Sequence, residues 1–168
     1  ESIKKQTSVL IFGSSQDTYH WTADKNIQAR ARERLSLFGE RMNFFNGWFY
    51  DFYENYDMSS ERPDLILFDL GISVYHYEKS GRGFSFRHDE PLDMRLNASE
   101  GESAGDIVNS WKEDELANMI YLYSDEKMSR RIAKAIVEAR MGGKITSSKA
   151  LAEIIWNAVP ANYRYGQI

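Results

Sequence analysis

The sequence predicts an α/β protein, with a sheet formed by the first part of the chain and helices in the last part. Three observations predict this class. Short apolar runs alternate with a helical pattern before residue 72, one of these runs (63–71) is almost continuously apolar, and amphipathic helical patterns fill residues 103–168. A near-continuous apolar run is typical of a strand buried on both faces of a parallel sheet. Strands and helices in this order indicate part of a doubly wound sheet.

The strands are predicted from short runs rich in apolar, aromatic and β-branched residues, three of which end at a glycine or an acid. They cover residues 8–12, 18–24, 42–49 and 63–71. Between the second and third strands the pattern becomes helical, because Ile27, Ala31 and Leu35 recur at every fourth residue. Gly39 follows as a helix stop.

From residue 103 onward the chain is predicted to form helices. Ser103 is placed to cap a short helix that ends near Trp111. Either Thr146 or Ser147 is placed to cap the last helix. The helix at residues 113–123 is expected to bury one apolar stripe, made of Leu116, Met119, Ile120 and Tyr123. The predicted domains are therefore a partial sheet domain (1–76), a connecting loop (77–102) and a small helical domain (103–168).

The composition excludes several classes of protein. The chain has 168 residues, of which 42% are hydrophobic and 14% aromatic, and this is enough for one sizeable core. Because there is no cysteine, disulfides and thiolate metal sites are excluded, and no apolar run reaches the roughly 20 residues of a membrane span. The first residues lack a signal-peptide pattern. We therefore expect a cytoplasmic protein without a metal site or a membrane partner.

Charge is unevenly distributed along the chain. Residues 125–149 contain seven basic and three acidic residues, a local balance of +4, whereas the whole chain carries −4 and the remainder therefore −8. Such a run is usually a solvated helix face. Clustered Lys and Arg are also what binding to phosphates requires.

A long stretch without helical or strand periodicity, residues 71–102, separates the sheet from the helices. Loops longer than about 12–15 residues are uncommon in compact domains and are often functional. Residues 82–95, "RGFSFRHDEPLDMR", mix aromatic and apolar side chains with arginines and acids. This mixture predicts a packed, hydrogen-bonded loop, in which Phe84, Phe86 and Met94 are anchors to the core.

Two acids follow predicted strands, at the end of the sheet where ligands bind in open α/β folds. Asp24 closes the second strand and Asp69 the fourth. A carboxylate at the position of Asp24 can accept hydrogen bonds from both ribose hydroxyls of a nucleotide, or it can simply cap the helix that follows. Asp69 lies between Phe68 and Leu70. It requires a ligand or a hydrogen bond to the following loop, because an acid among apolar residues needs a partner.

Four segments together resemble one family, the bacterial 16S rRNA (cytosine-N4) methyltransferases that act on the small ribosomal subunit. These segments are "LILFDLGIS", "GRGFSFRHDEPLDMR", "SRRIAKAIVEAR" and "TSSKALAEII". The resemblance extends from about Thr18 to the last residue. It implies a Rossmann-like, S-adenosylmethionine-dependent methyltransferase sheet with an inserted small helical domain. It also implies that the substrate is a cytosine of 16S rRNA in the decoding centre.

The resemblance also implies roles for individual residues. Asp24 matches the acid expected on the ribose of S-adenosylmethionine, and Phe49 matches the aromatic residue that lines the adenine site. Asp69 matches a cofactor-contacting acid. His76 stands where the family usually has a cofactor-binding glutamine, and imidazole can also donate or accept a hydrogen bond.

The catalytic group is expected to accept a hydrogen bond from the N4 amine of the cytosine. Either Asp69 or a backbone carbonyl of the turn that follows it is a candidate for this role. Tyr75 or Tyr77 is placed to stack on the extruded base. For RNA phosphates the candidates are six basic side chains: Arg82, Arg87, Arg95, Arg130, Arg131 and Lys134. The loop arginines can instead pair with acids of the same loop.

Two segments depart from the family pattern. Only "FGSS" (12–15) follows the first apolar run, where the family has a glycine-rich D-A-T-x-G-x-G-G-H loop, and the sequence ends at "RYGQI" where the family continues into further strands. An incomplete sheet is therefore expected. The alternative function is that of a relative that binds rRNA or the ribosome without methyl transfer. The oligomeric state is also open, and a homodimer is one of the options. No G-x-G-x-x-G motif supports a dinucleotide-dependent oxidoreductase.

Overall fold

The computed structural model describes residues 8–13, 18–48, 50–51, 54, 56, 63–69 and 71–164, with the backbone alone at residues 8–13, 18, 63 and 69. The chain forms two compact units, Glu1–Ile72 and Ser73–Ile168. The first unit contains the sheet and the second is helical. The class is therefore mixed α/β, as the sequence predicts.

The sheet of the first unit has four strands. They are β1 (Ser8–Gly13), β2 (Thr18–Thr22), β3 (Met42–Asn46) and β4 (Pro63–Asp69). Their order across the sheet is β3-β2-β1-β4. β2 and β3 are parallel, whereas β1 is antiparallel to both of its neighbours, β2 and β4.

The direction of β1 differs from the all-parallel arrangement of a doubly wound sheet. Only residues 14–17 separate β1 from β2. A parallel crossover needs a dozen or more residues, whereas antiparallel neighbours can be joined by a short turn. β1 therefore runs opposite to the other strands, while β2, β3 and β4 all point in the same direction.

The prediction that β4 is buried on both faces is wrong. β4 is an edge strand that pairs only with β1 among the described strands. Leu65 and Leu67 on one face are 59% and 51% exposed, and Phe68 on the other is 43% exposed. The apolar run correctly indicates a strand, but it does not indicate which neighbours cover that strand.

Helix α1 (Lys25–Arg34) packs against β2 and β3. Arg32 holds this contact, since its guanidinium lies 4.6 Å from the centre of the Phe44 ring and donates to the Phe44 carbonyl at 3.3 Å. α1 ends before Gly39, which lies instead in a 3-10 segment (Ser36–Arg41) with a positive φ of 55°.

The second unit contains six helices among the described residues. They are α2 (Val74–Glu78), α3 (Ala104–Ser110), α4 (Glu113–Ser124), α5 (Ser129–Met141), α6 (Ser148–Ala158) and α7 (Ala161–Arg164). The core is centred on α4 and α5, where Leu116, Ala133 and Ile136 are almost completely buried. None of the helices in the described ranges is long and apolar enough to cross a membrane.

Helix caps of the second unit agree with the sequence prediction. Ser103 accepts a hydrogen bond from the Asp106 N–H at 3.0 Å and caps α3. At α6 the cap is Ser147 rather than Thr146, with the Ala150 N–H donating at 3.3 Å. The predicted stripe of α4 is wrong at Tyr123, which is 76% exposed near the end of the helix.

Candidate functional site

The carboxyl ends of three strands meet at one edge of the sheet. This follows from the shared direction of β2, β3 and β4. Thr22 at the end of β2 and Asp69 at the end of β4 both pair with Ser8, so they flank the start of β1. Asn46 at the end of β3 pairs with Thr22 and donates to the Thr22 carbonyl at 2.9 Å. Ligands of open α/β sheets bind at this kind of edge.

Asp24 lies at this edge, where β2 passes into α1. Its Oδ1 accepts hydrogen bonds from the N–H groups of Asn26 at 2.8 Å and Ile27 at 3.3 Å, so it is the N-cap of α1. Asp24 is 2% exposed, and its own N–H donates to Thr22 Oγ1 at 3.3 Å. The capping interpretation is thus confirmed. The carboxylate is also stabilised by the positive end of the helix dipole.

The other predicted cofactor residues of the first unit are described less fully. Asp69 is the last residue of β4, and its backbone alone is described. Phe49 lies outside the described residues, although Trp48 beside it is partly buried. The roles of Phe49 and Asp69 therefore stay predictions.

Sequence reasoning missed an aromatic stack on one face of the sheet. The Trp21 and Phe45 rings lie 4.6 Å apart with 13° between their planes, and Tyr19 is stacked on Phe45 at 6.2 Å. These contacts follow from the register, which pairs Trp21 with Phe45 across β2 and β3. The sequence contained the aromatic residues, but not the pairing that brings them together.

His20 on the opposite face was also not singled out. It is buried, its ring lies 5.7 Å from that of Phe44, and its Nδ1 has no hydrogen-bond partner among the described residues. Burial lowers the pKa of His20, because desolvation penalises the charged imidazolium. We interpret His20 as a neutral packing residue of the sheet.

His76 is a buried residue of the second unit, with 1% exposure. Its Nδ1 accepts a hydrogen bond from the Ser73 N–H at 3.0 Å and lies 3.0 Å from Ser73 Oγ, which together fix the start of α2. The His76 ring lies edge-on to Phe84 at 5.2 Å. His76 thus connects α2 to the loop at residues 82–95, the arginine loop, and its predicted contact with the cofactor stays a prediction.

Two of the three loop arginines hold the loop together. Arg82 Nη1 donates to the carbonyls of Arg95 at 2.8 Å and Leu96 at 3.0 Å. Arg95 forms a two-pronged pair with Asp93, at 2.7 Å from Nε to Oδ1 and 3.1 Å from Nη2 to Oδ2. This pair holds the pKa of Asp93 below its usual value and raises that of Arg95. Arg82 and Arg95 therefore have structural roles, whatever further contacts they make.

Arg87 differs from the other two arginines. It is exposed, and its guanidinium has no hydrogen bond or ion pair within the described part of the chain. Among the apolar loop residues, Phe84 is confirmed as an anchor through its contact with His76. The same prediction is wrong for Phe86, which is 73% exposed, and Met94 is also exposed.

The basic candidates on α5 are all exposed. Arg130 lies 3.6 Å from Asp114, and Lys134 lies 3.8 Å from Glu138. Exposed pairs of this kind are weak and easily exchanged for another anion. Arg131 and Lys134 line a groove between α5 and α6. These side chains can contact phosphates without loss of a buried interaction.

These features define a class of protein. A mixed sheet with an acid at a shared strand edge is followed in the chain by a helical unit with an ordered arginine loop. This is the organisation of an α/β protein that binds a ligand at its strand ends.

Within this class, the chain belongs to a defined family. Residues 7–168 match the model of the MraW methylase family, and the chain belongs to that family. The resemblance found in the sequence is thereby confirmed.

Relatives named "Ribosomal RNA small subunit methyltransferase H" are similar to this chain. The protein from Treponema denticola is 55% identical over 146 residues, which cover 87% of this chain and 46% of the relative. That from Borreliella burgdorferi is 49% identical over 138 residues, covering 82% and 46%. The protein from Nostoc sp. is 41% identical over 163 residues, covering 96% and 52%. The chain thus spans about half the length of the curated relatives it matches.

Proposed function

We propose that this chain carries part of an S-adenosylmethionine-dependent rRNA methyltransferase. The sheet edge at the carboxyl ends of β2, β3 and β4 binds the cofactor and is called the cofactor edge, and the second unit binds RNA. The reaction is methyl transfer to the N4 amine of a cytosine in 16S rRNA. The observation that carries the proposal is the shared edge of β2, β3 and β4, with Asp24 and Asp69 at two of the strand ends. Family membership and the names of the relatives support it. In this proposal the first unit is an incomplete Rossmann-like sheet and residues 103–168 are an inserted helical domain.

The chemistry of Asp24 fits the ribose of S-adenosylmethionine. A carboxylate has lone pairs for two hydroxyl donors, and Asp24 lies where β2 ends and α1 begins. The two backbone donors, Asn26 and Ile27, keep the carboxylate in one orientation. When bound, S-adenosylmethionine supplies the electrophilic methyl group. Phe49 is the proposed wall of the adenine site, and His76 the proposed further contact.

The chemical task of the protein is to make the N4 amine a better nucleophile. The nitrogen lone pair of cytosine is delocalised into the ring, and a hydrogen-bond acceptor on the amino protons favours a pyramidal nitrogen. Asp69 is the proposed acceptor, because it ends β4 at the same edge as Thr22 and Asp24. A backbone carbonyl of the following turn is the alternative acceptor.

RNA contact is proposed for the basic side chains of the second unit. Arg87, Arg130, Arg131 and Lys134 are exposed. Phosphate contacts of this kind position the RNA, whereas contacts to bases select the target. Arg82 and Arg95 support the loop that presents Arg87.

The direct test is to incubate the chain with S-adenosylmethionine and unmethylated small ribosomal subunits, and to measure N4-methylcytosine in the RNA by mass spectrometry. We expect product with the wild type and a loss of about a hundredfold or more with Asp69→Asn, since one transition-state acceptor is weakened. Asp64→Asn is the matched control, because Asp64 is an exposed acid on the same strand. No product with the wild type, or full activity of Asp69→Asn, contradicts the corresponding part of the proposal.

A further inference from the structure

A cavity lies within the helical unit, between α2 and the loop that follows Gly83. It has a volume of about 660 Å³, and its lining includes Val74, Tyr77, Phe86 and Arg87. Val74 and Tyr77 are one helical turn apart on α2 and are both exposed. The cavity therefore presents apolar surface to its opening.

The ring of Phe86 is held in an exposed position by a fixed loop. On one side the Gly83 N–H donates to Glu90 Oε2 at 2.8 Å. On the other side Ser148 Oγ donates to the His88 carbonyl at 2.9 Å and accepts from the Glu90 N–H at 3.2 Å. The entropy of ordering this loop is thus already lost on folding. A ligand that stacks on Phe86 does not have to order the loop again.

Cationic side chains surround the same cavity. These are Arg87 and Lys79, both exposed in its lining, while Glu78 is the one carboxylate among the described lining residues. The guanidinium of Arg87 is unengaged within the described part of the chain. Aromatic surface beside cations is the combination by which proteins bind single-stranded nucleic acid, through base stacking and phosphate pairing.

We infer that this cavity is a subsite for an unpaired nucleotide of the RNA substrate, with the base stacked on Phe86 and Tyr77 and a phosphate paired with Arg87. The inference rests on the proposed function, because an rRNA substrate supplies the nucleotide. It adds a place on the second unit that binds RNA. A base in a duplex cannot stack there, so the subsite selects single-stranded RNA.

The test is fluorescence anisotropy of the whole chain with a labelled, unstructured RNA oligonucleotide of about 12 nucleotides, at several salt concentrations. Phe86→Leu is expected to weaken binding roughly 5- to 100-fold, without a change in the salt slope, because stacking is lost and charge is kept. Phe86→Trp is expected to bind RNA with the affinity of the wild type, because tryptophan keeps an aromatic ring for stacking. Tyr123→Leu, at an exposed aromatic residue of α4, is the matched control and is expected to bind like the wild type.

Arg87 is tested through the salt dependence. Arg87→Ala is expected to reduce the slope of log K against log salt by about 0.7, the value for one phosphate contact on a single strand. Arg87→Lys retains the slope, and Arg34→Ala, at an exposed arginine of α1, is the control.

Affinity within twofold of the wild type for Phe86→Leu, or an unchanged slope for Arg87→Ala, overturns the subsite. Equal binding of duplex RNA, or no binding of RNA by the wild type, overturns it as well. Titration of the same variants with S-adenosylmethionine separates the two proposals. If the variants bind the cofactor normally but the RNA test fails, only the nucleotide subsite is contradicted. If the wild type does not bind the cofactor, the proposed cofactor site at the ends of β2, β3 and β4 is contradicted.

Discussion

At the scale of single residues, most polar side chains that the sequence singled out are engaged within their own unit. Asp24 caps α1, His76 fixes the start of α2, and Arg95 pairs with Asp93. Residue type and spacing predicted that these side chains need partners, because buried or partly buried polar groups are costly when unpaired. They did not show whether the partner is the protein or a ligand. Substitutions that separate these two roles are therefore the informative ones.

Asp24 can be tested in this way. Asp24→Ala removes the cap and is expected to lower the free energy of unfolding by about 1–2 kcal/mol. Asp24→Asn retains an oxygen acceptor for the Asn26 N–H and is expected to retain most of the stability, since Asn and Asp are similar N-caps. Urea unfolding followed by circular dichroism measures both. Equal losses for the two variants would show that the charge, rather than the cap, stabilises α1.

The lowered pKa of Asp93 predicts how the stability of the second unit depends on pH. Its folded pKa is lowered by the pair with Arg95, so its contribution is fully present above the unfolded pKa of about 3.9 and is lost as the pH falls through the folded value. The pKa of Asp106 is lowered in the same direction by its hydrogen bonds with Ser103. We expect the second unit to lose stability below about pH 4.

The variant Asp93→Asn checks the origin of this loss. At neutral pH it is expected to cost about 1 kcal/mol or less, because the ion pair that is removed is partly exposed to solvent, and its stability should then fall less steeply in acid. Glu138→Gln, in an exposed pair with Lys134, is the control and is expected to have little effect at either pH. A parallel acid loss in wild type and Asp93→Asn would assign the pH dependence to other groups.

At the scale of elements, the loop at residues 82–95 is ordered by backbone geometry as well as by its arginines. Gly83 has a positive φ of 77°, and a Cβ atom there would lie 2.3 Å from the Pro91 carbonyl oxygen. Pro91 in turn forms a bridge with Ser147, next to the start of α6. The sequence predicted a packed loop, but not which phenylalanine points inward. Because this segment has no helical or strand periodicity, the positions of Phe84 and Phe86 in the sequence do not show which side chain faces the core.

Gly83→Ala is expected to lower the free energy of unfolding by more than about 2 kcal/mol, because backbone strain and a backbone clash add together. Gly81 provides a matched control, since its φ is 66° but nothing lies within 4 Å of a Cβ atom there. Gly81→Ala should cost only about 1–2 kcal/mol, from the backbone conformation alone. Thermal unfolding of both variants measures the difference. Similar costs at the two positions would mean that the loop moves to accommodate a side chain at residue 83.

At the scale of the whole molecule, the sequence predicted the α/β class, the strands and the helix caps, because these depend on neighbouring residues. It did not predict the direction of β1 or the exposure of β4, because these depend on how distant segments pair. A signal for β1 was nevertheless present, since the short link at residues 14–17 is incompatible with a parallel crossover. No comparable signal existed for β4, whose apolar pattern is the same whether or not its edge is covered.

The proposed function depends on the strand edge more than on any other feature. Three strands end there, and β1 begins there at Ser8, between Thr22 and Asp69. The chain spans about half the length of its curated relatives, so it matters whether this edge alone holds the cofactor. The proposed function requires that this edge, with the contacts proposed for Phe49 and His76, binds the cofactor in this chain.

Calorimetric titration of the chain with S-adenosylmethionine tests this most directly, with Asp24→Asn and the surface control Glu33→Gln beside the wild type. We expect saturable binding at a single site, at least about tenfold weaker in Asp24→Asn because a charge-assisted bond to the ribose is lost, and unchanged in Glu33→Gln. An absence of saturable binding by the folded wild type would contradict the cofactor edge. Equal affinity of wild type and Asp24→Asn would remove Asp24 from the ribose and leave it as the cap of α1.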